Sequence, residues 1–160
     1  MALVTAKRAS ESATEMVQVV LPNDANPLGF ILGGTVMHLI DIAGAITAAR
    51  HSRCPVVTAA VDGLQFLHPI KVGDLIILNA HVTCVFSTSL EVQVEVFSEE
   101  TLTGNRRQTS IAYLTFVTVA KDGQHVKVPE LIVETDDQRR VGEEAKARRA
   151  QRLASRGTGL

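Results

Sequence analysis

The feature that most constrains this chain is the almost wholly apolar run from Gly33 to Arg50, GGTVMHLIDIAGAITAAR. Its apolar side chains recur at steps of three and four residues, and this spacing predicts a helix. Because further apolar side chains fill the other faces, the helix is expected to be buried rather than laid on a surface. His38, Asp41 and Gly44 interrupt the run, and these interruptions argue against a membrane span.

Asp41 is the only acid within that run. Burying a carboxylate among apolar side chains costs free energy unless hydrogen bonds compensate for the lost water. We therefore expect Asp41 to lie in a core or a cleft. Taken alone, such a residue fits a structural carboxylate with a hydrogen-bonding partner as well as it fits a catalytic one.

The composition excludes several classes of protein. The chain has 160 residues, of which 46% are hydrophobic, and this is enough for a single domain with a real core. A formal net charge of -1 gives no indication of binding to nucleic acid or to an anionic membrane. Cys54 and Cys84 are expected to be reduced, and neither a metal-binding pattern nor a cofactor motif is present. The opening residues lack the apolar stretch of a signal peptide, so a cytoplasmic location is expected.

Strand-like segments surround the predicted helix. One strand precedes it across a polar loop, and four follow it, joined by short turns; the predicted strands are 13–21, 56–66, 75–86, 90–96 and 109–120. Consecutive strands with tight turns form an antiparallel sheet, and one helix must cover a face of that sheet. The predicted fold is therefore α+β, an antiparallel sheet wrapped around one long central helix in the hot-dog arrangement. The apolar surface left over suggests contact with a second subunit.

The chain is predicted to divide into a flexible N-terminus at 1–12, a single hot-dog domain at 13–133 and a charged C-terminal helix and tail at 134–160. Within 90–96 apolar residues alternate strictly with polar ones, which predicts a strand that is buried on one face only. The C-terminal segment mixes acids and arginines with a weak apolar stripe, so we expect a solvated helix.

Two segments resemble a known family. PNDANPLGFILGGTVMHLIDIAGAITAARH at 22–51 and VVTAAVDGLQFLHPIKVGD at 56–74 resemble the acyl-CoA thioesterases of the hot-dog superfamily, above all the cytosolic (brain-type) acyl-CoA hydrolases and their single-domain bacterial relatives. The resemblance covers residues 15–140 and rests on the joint pattern D-x-N…GG-x-x-M-x-x-x-D with the VGD turn. It implies hydrolysis of a fatty acyl-CoA to a free fatty acid and CoA, with no cofactor besides the CoA of the substrate.

The resemblance also implies which residues act. Asn26 in the loop and Asp41 in the helix match the two residues that carry the chemistry in the family. Asp41 would serve as general base on water or as the nucleophile. Asn26 and the backbone amides at Gly33 and Gly34 would polarise the thioester carbonyl or place the water. Since family members are dimers of hot-dog units, often assembled as trimers of dimers, each site would combine Asp41 of one subunit with Asn26 of the other.

Binding of CoA needs basic side chains or free backbone N–H groups for its phosphates. The candidates are Ser87 and Thr88 in one turn, and Arg106 and Arg107 in a later one. Leu32 departs from the family pattern, in which Phe or His commonly precedes the glycine pair, and we expect it to alter the acyl tunnel rather than the chemistry.

Other polar residues are expected to have structural roles: His38 in the core or an interface, and Thr58 and Asp62 in the sheet or the dimer contact. Two alternatives to a thioesterase stay open. A hot-dog hydratase or dehydratase would pair a catalytic histidine with an acid, and a non-catalytic module would only bind or sense acyl-CoA. Release of free thiol from acyl-CoA would separate the thioesterase from both.

Overall fold

The computed structural model describes residues 4–157, which form two α-helices and seven strands. In chain order these are β1 Ala6–Arg8, β2 Thr14–Val19, α1 Gly33–Ser52, β3 Val56–Phe66, β4 Leu75–Val85, β5 Ser89–Glu99, β6 Arg106–Thr118, β7 Glu130–Ile132 and α2 Asp136–Arg156. Neither α-helix of this part of the chain combines the length and the apolar character needed to cross a bilayer.

Five of the strands form one antiparallel sheet in the order β2–β4–β5–β6–β3. α1 packs across one face of this sheet, which confirms the predicted hot-dog fold. β3 has the bounds predicted from the sequence and lies at an edge of the sheet. β5 and β6 extend further into their shared hairpin than predicted, because ladder pairing continues to the last residues before the turn.

α1 is buried on one face only. The positions that face the sheet are core residues: Val36, Leu39, Ile40, Ala43 and Ala48. Gly44 allows close contact with β6, since a Cβ at this position would lie 2.9 Å from the ring of Phe116. On the other side of the helix, Met37 is 46% exposed and Ile46 is 36% exposed. We expected all faces of α1 to be buried, and this is wrong within one chain, because a single sheet covers only one side of a helix.

The N-terminal segment is ordered by a distant partner. β1 pairs in parallel with β7, with Ala6 opposite Glu130. The predicted flexible N-terminus at 1–12 is therefore wrong for residues 6–8, while residues 1–3 lie outside the described part of the chain. No local pattern marks this pairing, because the two strands have three residues each and lie near opposite ends of the sequence.

His51 ties the end of α1 to the segment before β7. Its side chain is fully buried, and Nε2 donates a hydrogen bond to the carbonyl oxygen of Pro129 at 2.7 Å. Nδ1 has no hydrogen-bonding partner among the described residues. Burial lowers the pKa of His51 below its ordinary value of 6.5 and outweighs the opposing effect of the hydrogen bond to Pro129.

We expect the folded protein to lose stability as the pH falls from about 7.5 through the ordinary histidine pKa of about 6.5 and below it. The folded state holds His51 neutral with a lowered pKa, so the unfolded chain binds a proton more readily. The stabilising contribution is complete above the unfolded pKa and is lost as the pH falls through the folded pKa. Urea unfolding at a fixed protein concentration across this range measures the effect.

The control for this prediction is His51→Gln, which keeps a side-chain N–H group for Pro129 but does not titrate. The variant should show a flatter pH dependence of unfolding than the wild type. Burial also lowers the pKa of His81. His81→Gln should therefore change the pH dependence of unfolding in the same direction as His51→Gln, and it provides a matched comparison. Equal pH dependence in the wild type and His51→Gln would contradict the role of His51.

α2 lies on the face of the sheet opposite α1. The side of α2 that packs on the sheet is not solvated, although a solvated helix was predicted. Ala145 is fully buried. Arg148 donates two hydrogen bonds to Glu91, at 3.0 and 2.8 Å, and its guanidinium stacks 3.6 Å from the centroid of the Tyr113 ring. As a result β5 is buried on both faces instead of one, and Glu91 is only 2% exposed. Arginine can pair with a carboxylate and stack on an aromatic ring at once, so a charged sequence formed a packing face.

Candidate active site

Asp41 lies in the middle of α1 and is half-buried. Its Oδ1 atom accepts a hydrogen bond of 2.6 Å from the hydroxyl of Thr58 on β3. Its Oδ2 atom accepts no hydrogen bond from residues 4–157. The carboxylate is thus held by one oxygen and can accept a hydrogen bond from water or a substrate with the other.

A pocket of about 320 Å³ opens beside this carboxylate. Its lining is mostly apolar and consists of Gly34, Met37, His38, Ile40, Asp41, Thr58, Val61, Leu64 and Leu114. Apolar walls with a few polar groups are the usual form of a small-molecule site. Asp41 therefore lies in a cleft, as the sequence indicated.

His38 also lines the pocket, three residues before Asp41 in α1. It is exposed and makes no hydrogen bond to the described part of the chain. It is therefore not a core histidine, and its predicted place in an interface stays a prediction.

The start of α1 offers free hydrogen-bond donors next to the pocket. The helix begins at Gly33, and the first N–H groups of a helix have no carbonyl partner within it. Within residues 4–157 neither the Gly33 N–H nor the Gly34 N–H donates a hydrogen bond. A Cβ at Gly34 would meet no atom within 4 Å, so the backbone is open to a ligand. These amides, at the positive end of the helix dipole, can stabilise a negative charge.

Asn26 shapes the loop before α1. Its Oδ1 atom accepts hydrogen bonds from the amides of Leu28, at 3.0 Å, and Phe30, at 3.2 Å. Its side-chain NH₂ group has no hydrogen-bonding partner among residues 4–157 and is available to donate to a ligand. Asn26 is not among the residues that line the pocket of Asp41, so one chain does not bring the two predicted catalytic residues into one cavity.

Thr58 is a further candidate site residue, and sequence reasoning missed it. It was expected to serve the sheet or the dimer contact, yet its hydroxyl donates to Asp41. The two residues are 17 positions apart on different elements, so no helical or strand period links them. The only signal was a hydroxyl residue near the start of the strand that follows the helix.

The predicted CoA-binding residues lie at opposite ends of β5. Ser87 and Thr88 precede this strand of 11 residues and Arg106 and Arg107 follow it, which places the pairs about 35 Å apart along the strand. Arg106 forms an ion pair with Glu99 at 3.2 Å. Ser87 lines a groove of about 730 Å³ beside α2, which contains none of the predicted catalytic residues. One chain does not bring these four residues together, and their role in binding CoA stays a prediction.

The sequence is similar to known hydrolases. The profile of the thioesterase superfamily matches residues 28–105. An uncharacterized acyl-CoA thioester hydrolase of Bacillus subtilis is 38% identical over 80% of this chain and 74% of that protein. The human cytosolic acyl coenzyme A thioester hydrolase is 32% identical over 92% of this chain, which spans only 39% of that protein's length.

Solved structures are similar over nearly the whole chain. An apo-hexameric acyl-CoA thioesterase has a TM-score of 0.90 and 37% identity, covering 98% of this chain and 99% of that one. The acyl-CoA hydrolase of Staphylococcus aureus, solved with butyryl coenzyme A, coenzyme A and coenzyme A disulfide, has a TM-score of 0.85 and 34% identity over 96% of each chain.

The Staphylococcus aureus enzyme has also been solved with an aspartate, an asparagine and a threonine each replaced by alanine. These three residues have the same separations along their chain as Asn26, Asp41 and Thr58 have here.

Proposed function

We propose that this chain, which belongs to the thioesterase superfamily, is an acyl-CoA hydrolase that converts a fatty acyl-CoA and water into a free fatty acid and CoA. The observation that carries the proposal is the Asp41 carboxylate, which Thr58 holds at an apolar pocket beside the free amide of Gly34. Relatives that are acyl-CoA hydrolases, and the one solved with butyryl coenzyme A, support this substrate class.

Asp41 acts as a general base in the proposed reaction. Its Oδ2 atom accepts a proton from a water molecule, whose oxygen attacks the carbonyl carbon of the thioester. The tetrahedral intermediate collapses with cleavage of the C–S bond, and the CoA thiolate leaves and takes up the proton that Asp41 accepted from the water, which returns Asp41 to its ionised form. Direct attack by Asp41 would instead form an anhydride that water hydrolyses in a second step. The hydrogen bond from Thr58 restrains the carboxylate in either case. We favour the general base, because attack by water needs no covalent intermediate.

The thioester oxygen is proposed to accept hydrogen bonds from the Gly34 N–H and the Asn26 NH₂ group. Negative charge grows on this oxygen in the transition state, and donors that are already oriented stabilise it without reorganisation. The amides of Leu28 and Phe30 hold the Asn26 Oδ1 atom, which fixes the orientation of the NH₂ group.

We propose that Asn26 of each site comes from a second subunit. Met37 on α1 and Val61 on β3 are exposed apolar residues that line the pocket of Asp41. β3 is an edge strand of 11 residues, and an uncovered edge of this length is ready to pair with another chain. A two-fold dimer would cover these surfaces and form two equivalent sites. The hexameric relative supports a trimer of such dimers.

Release of free thiol from a panel of acyl-CoAs, from acetyl to palmitoyl, tests the proposed function. We expect continuous turnover of at least one chain length without an added metal or cofactor, because the steps use only protein groups, water and substrate. Binding of CoA without thiol release would favour the non-catalytic module. Hydration of an enoyl-CoA without thiol release would favour the hydratase, with His38 beside Asp41 as its histidine. The cytosolic relative supports a cytoplasmic location.

A further inference from the structure

β3 contains an extra residue just after Thr58. In its pairing with β6, Thr58 lies opposite Phe116 and Ala60 lies opposite Thr115, so two steps along β3 match one step along β6. Ala59 is therefore the extra residue of a β-bulge. A bulge of this kind reverses the alternation of side chains beyond it, since alternation has a period of two residues.

The bulge places Thr58 and Asp62 on opposite faces of the sheet. Thr58, before the bulge, donates to Asp41 on the face covered by α1. Asp62, four residues later, would share that face in a regular strand. Instead it lies opposite Tyr113, on which Arg148 of α2 stacks, and therefore faces α2.

Asp62 is bound there by the last turns of α2. Arg152 donates a hydrogen bond of 2.7 Å from Nη1 to Asp62 Oδ2, and the two side chains are only 16% and 28% exposed. A second irregularity follows between Asp62 and Gln65, where Gly63 has a φ of +66°. The ion pair therefore holds a short run of regular pairing, residues 60–62, between two interruptions of the ladder.

The position of Arg152 beside Asp62 is fixed by the packing of α2 on the sheet. Arg148 lies four residues earlier, on the same face of the helix, and is bound to Glu91 and stacked on Tyr113. Because the helix is already anchored by Arg148, less conformational entropy is lost when Arg152 pairs with Asp62.

We propose that Arg152 is a positioning residue for hydrolysis, which acts through Asp62 to set the register of β3 and so the Thr58 hydroxyl that orients Asp41. This inference rests on the proposed function, because its consequence is the orientation of the general base. It gives the charged C-terminal helix a role in catalysis although α2 lies on the face of the sheet away from the pocket.

The test is steady-state thiol release by Arg152→Gln and Asp62→Asn. Each variant should lower kcat about tenfold and leave KM within about twofold, because a misplaced base affects the chemical step more than substrate binding. The double variant should lose no more than either single variant, since both remove the same interaction. Arg149→Gln is the matched control, because Arg149 lies on the same helix but over Phe86, at 4.6 Å from the ring centroid, and it should keep the wild-type kcat.

The route through Thr58 is tested in a Thr58→Val background. Thr58→Val already lacks the hydrogen bond to Asp41, so adding Arg152→Gln should lower kcat no further. A full tenfold loss in that background would overturn the proposal, since the ion pair would then act on the fold and not on Thr58. A rise in KM with unchanged kcat in the single variants would overturn it as well.

The kcat of Asp62→Asn and thiol release by the wild type distinguish the remaining outcomes. If Arg152→Gln does not fold, Asp62→Asn tests the proposal in its place, because it keeps the shape of the side chain and removes only its charge. An unchanged kcat in folded Asp62→Asn would then refute the inference. Absence of thiol release by the wild type contradicts the proposed function, whereas active wild type with unaffected variants contradicts only the role of Arg152.

Discussion

Asp41→Asn is expected to lower the turnover of acyl-CoA by about a thousandfold, because the amide cannot accept a proton from the attacking water. The fold should persist, since the asparagine Oδ1 atom can still accept the hydrogen bond from Thr58. KM should change little, because the substitution removes an interaction made in the transition state rather than one that binds the substrate. Thiol release under saturating substrate measures the loss, and thermal unfolding checks the fold.

The matched control is Asp122→Asn, which makes the same chemical change in a turn outside the pocket. Asp122 accepts a hydrogen bond from the Gln124 amide, and an asparagine can accept it equally well. This variant should keep wild-type turnover. Full activity of Asp41→Asn with an unaltered pH dependence of kcat would end the assignment of Asp41 as the base.

Asn26→Ala is expected to reduce kcat by about a hundredfold, because a donor to the developing oxyanion is lost. The substitution also removes the acceptor of the Leu28 and Phe30 amides, so a change in the loop could contribute to the loss. Asn26→Asp separates the two effects, because its carboxylate accepts the same hydrogen bonds but cannot donate. A comparable loss in Asn26→Asp assigns the effect to the missing NH₂ group, and wild-type turnover in that variant would contradict it.

Mixing Asn26→Ala with Asp41→Asn is expected to restore activity to about one quarter of the wild type, if subunits pair at random. Half of the dimers then contain one subunit of each kind. In each mixed dimer one site combines the intact Asp41 of one subunit with the intact Asn26 of the other, while the second site lacks both. Co-expression with two different affinity tags isolates the mixed dimers for assay. No recovery in confirmed mixed dimers would place both residues of a site in the same subunit.

Prediction from the sequence was accurate where the signal was local. The bounds of β3 followed from its strand-like, β-branched sequence, and the start of α1 at Gly33 followed from helical spacing and the glycine pair. Asp41 was identified because a single acid in an apolar helix is conspicuous, and the structure places it in a cleft. Asn26 depended on the family motif, since its hydrogen bonds within the loop would suit a purely structural asparagine.

Prediction failed where distant segments decide the environment. The C-terminal helix was expected to be solvated because its sequence is charged, but Arg148 and Arg152 pair with Glu91 and Asp62 on the sheet. β1 was expected to be frayed, but β7 supplies its hydrogen bonds. In both cases the partner that satisfies the charge or the backbone lies far away in the sequence.

The sequence by itself determined the family and the order of α1 and the five strands of the main sheet, and it predicted the pair Asn26 and Asp41, because motif, periodicity and turn residues are properties of neighbouring positions. Only the tertiary structure decided that Thr58 orients Asp41 and that Asp62 faces the opposite side of the sheet. The first fact depends on the packing of β3 beside α1, which brings residues 17 positions apart into contact. The second follows from one extra residue in β3, because a β-bulge reverses the direction of the side chains between it and the next irregularity without changing the composition of the strand.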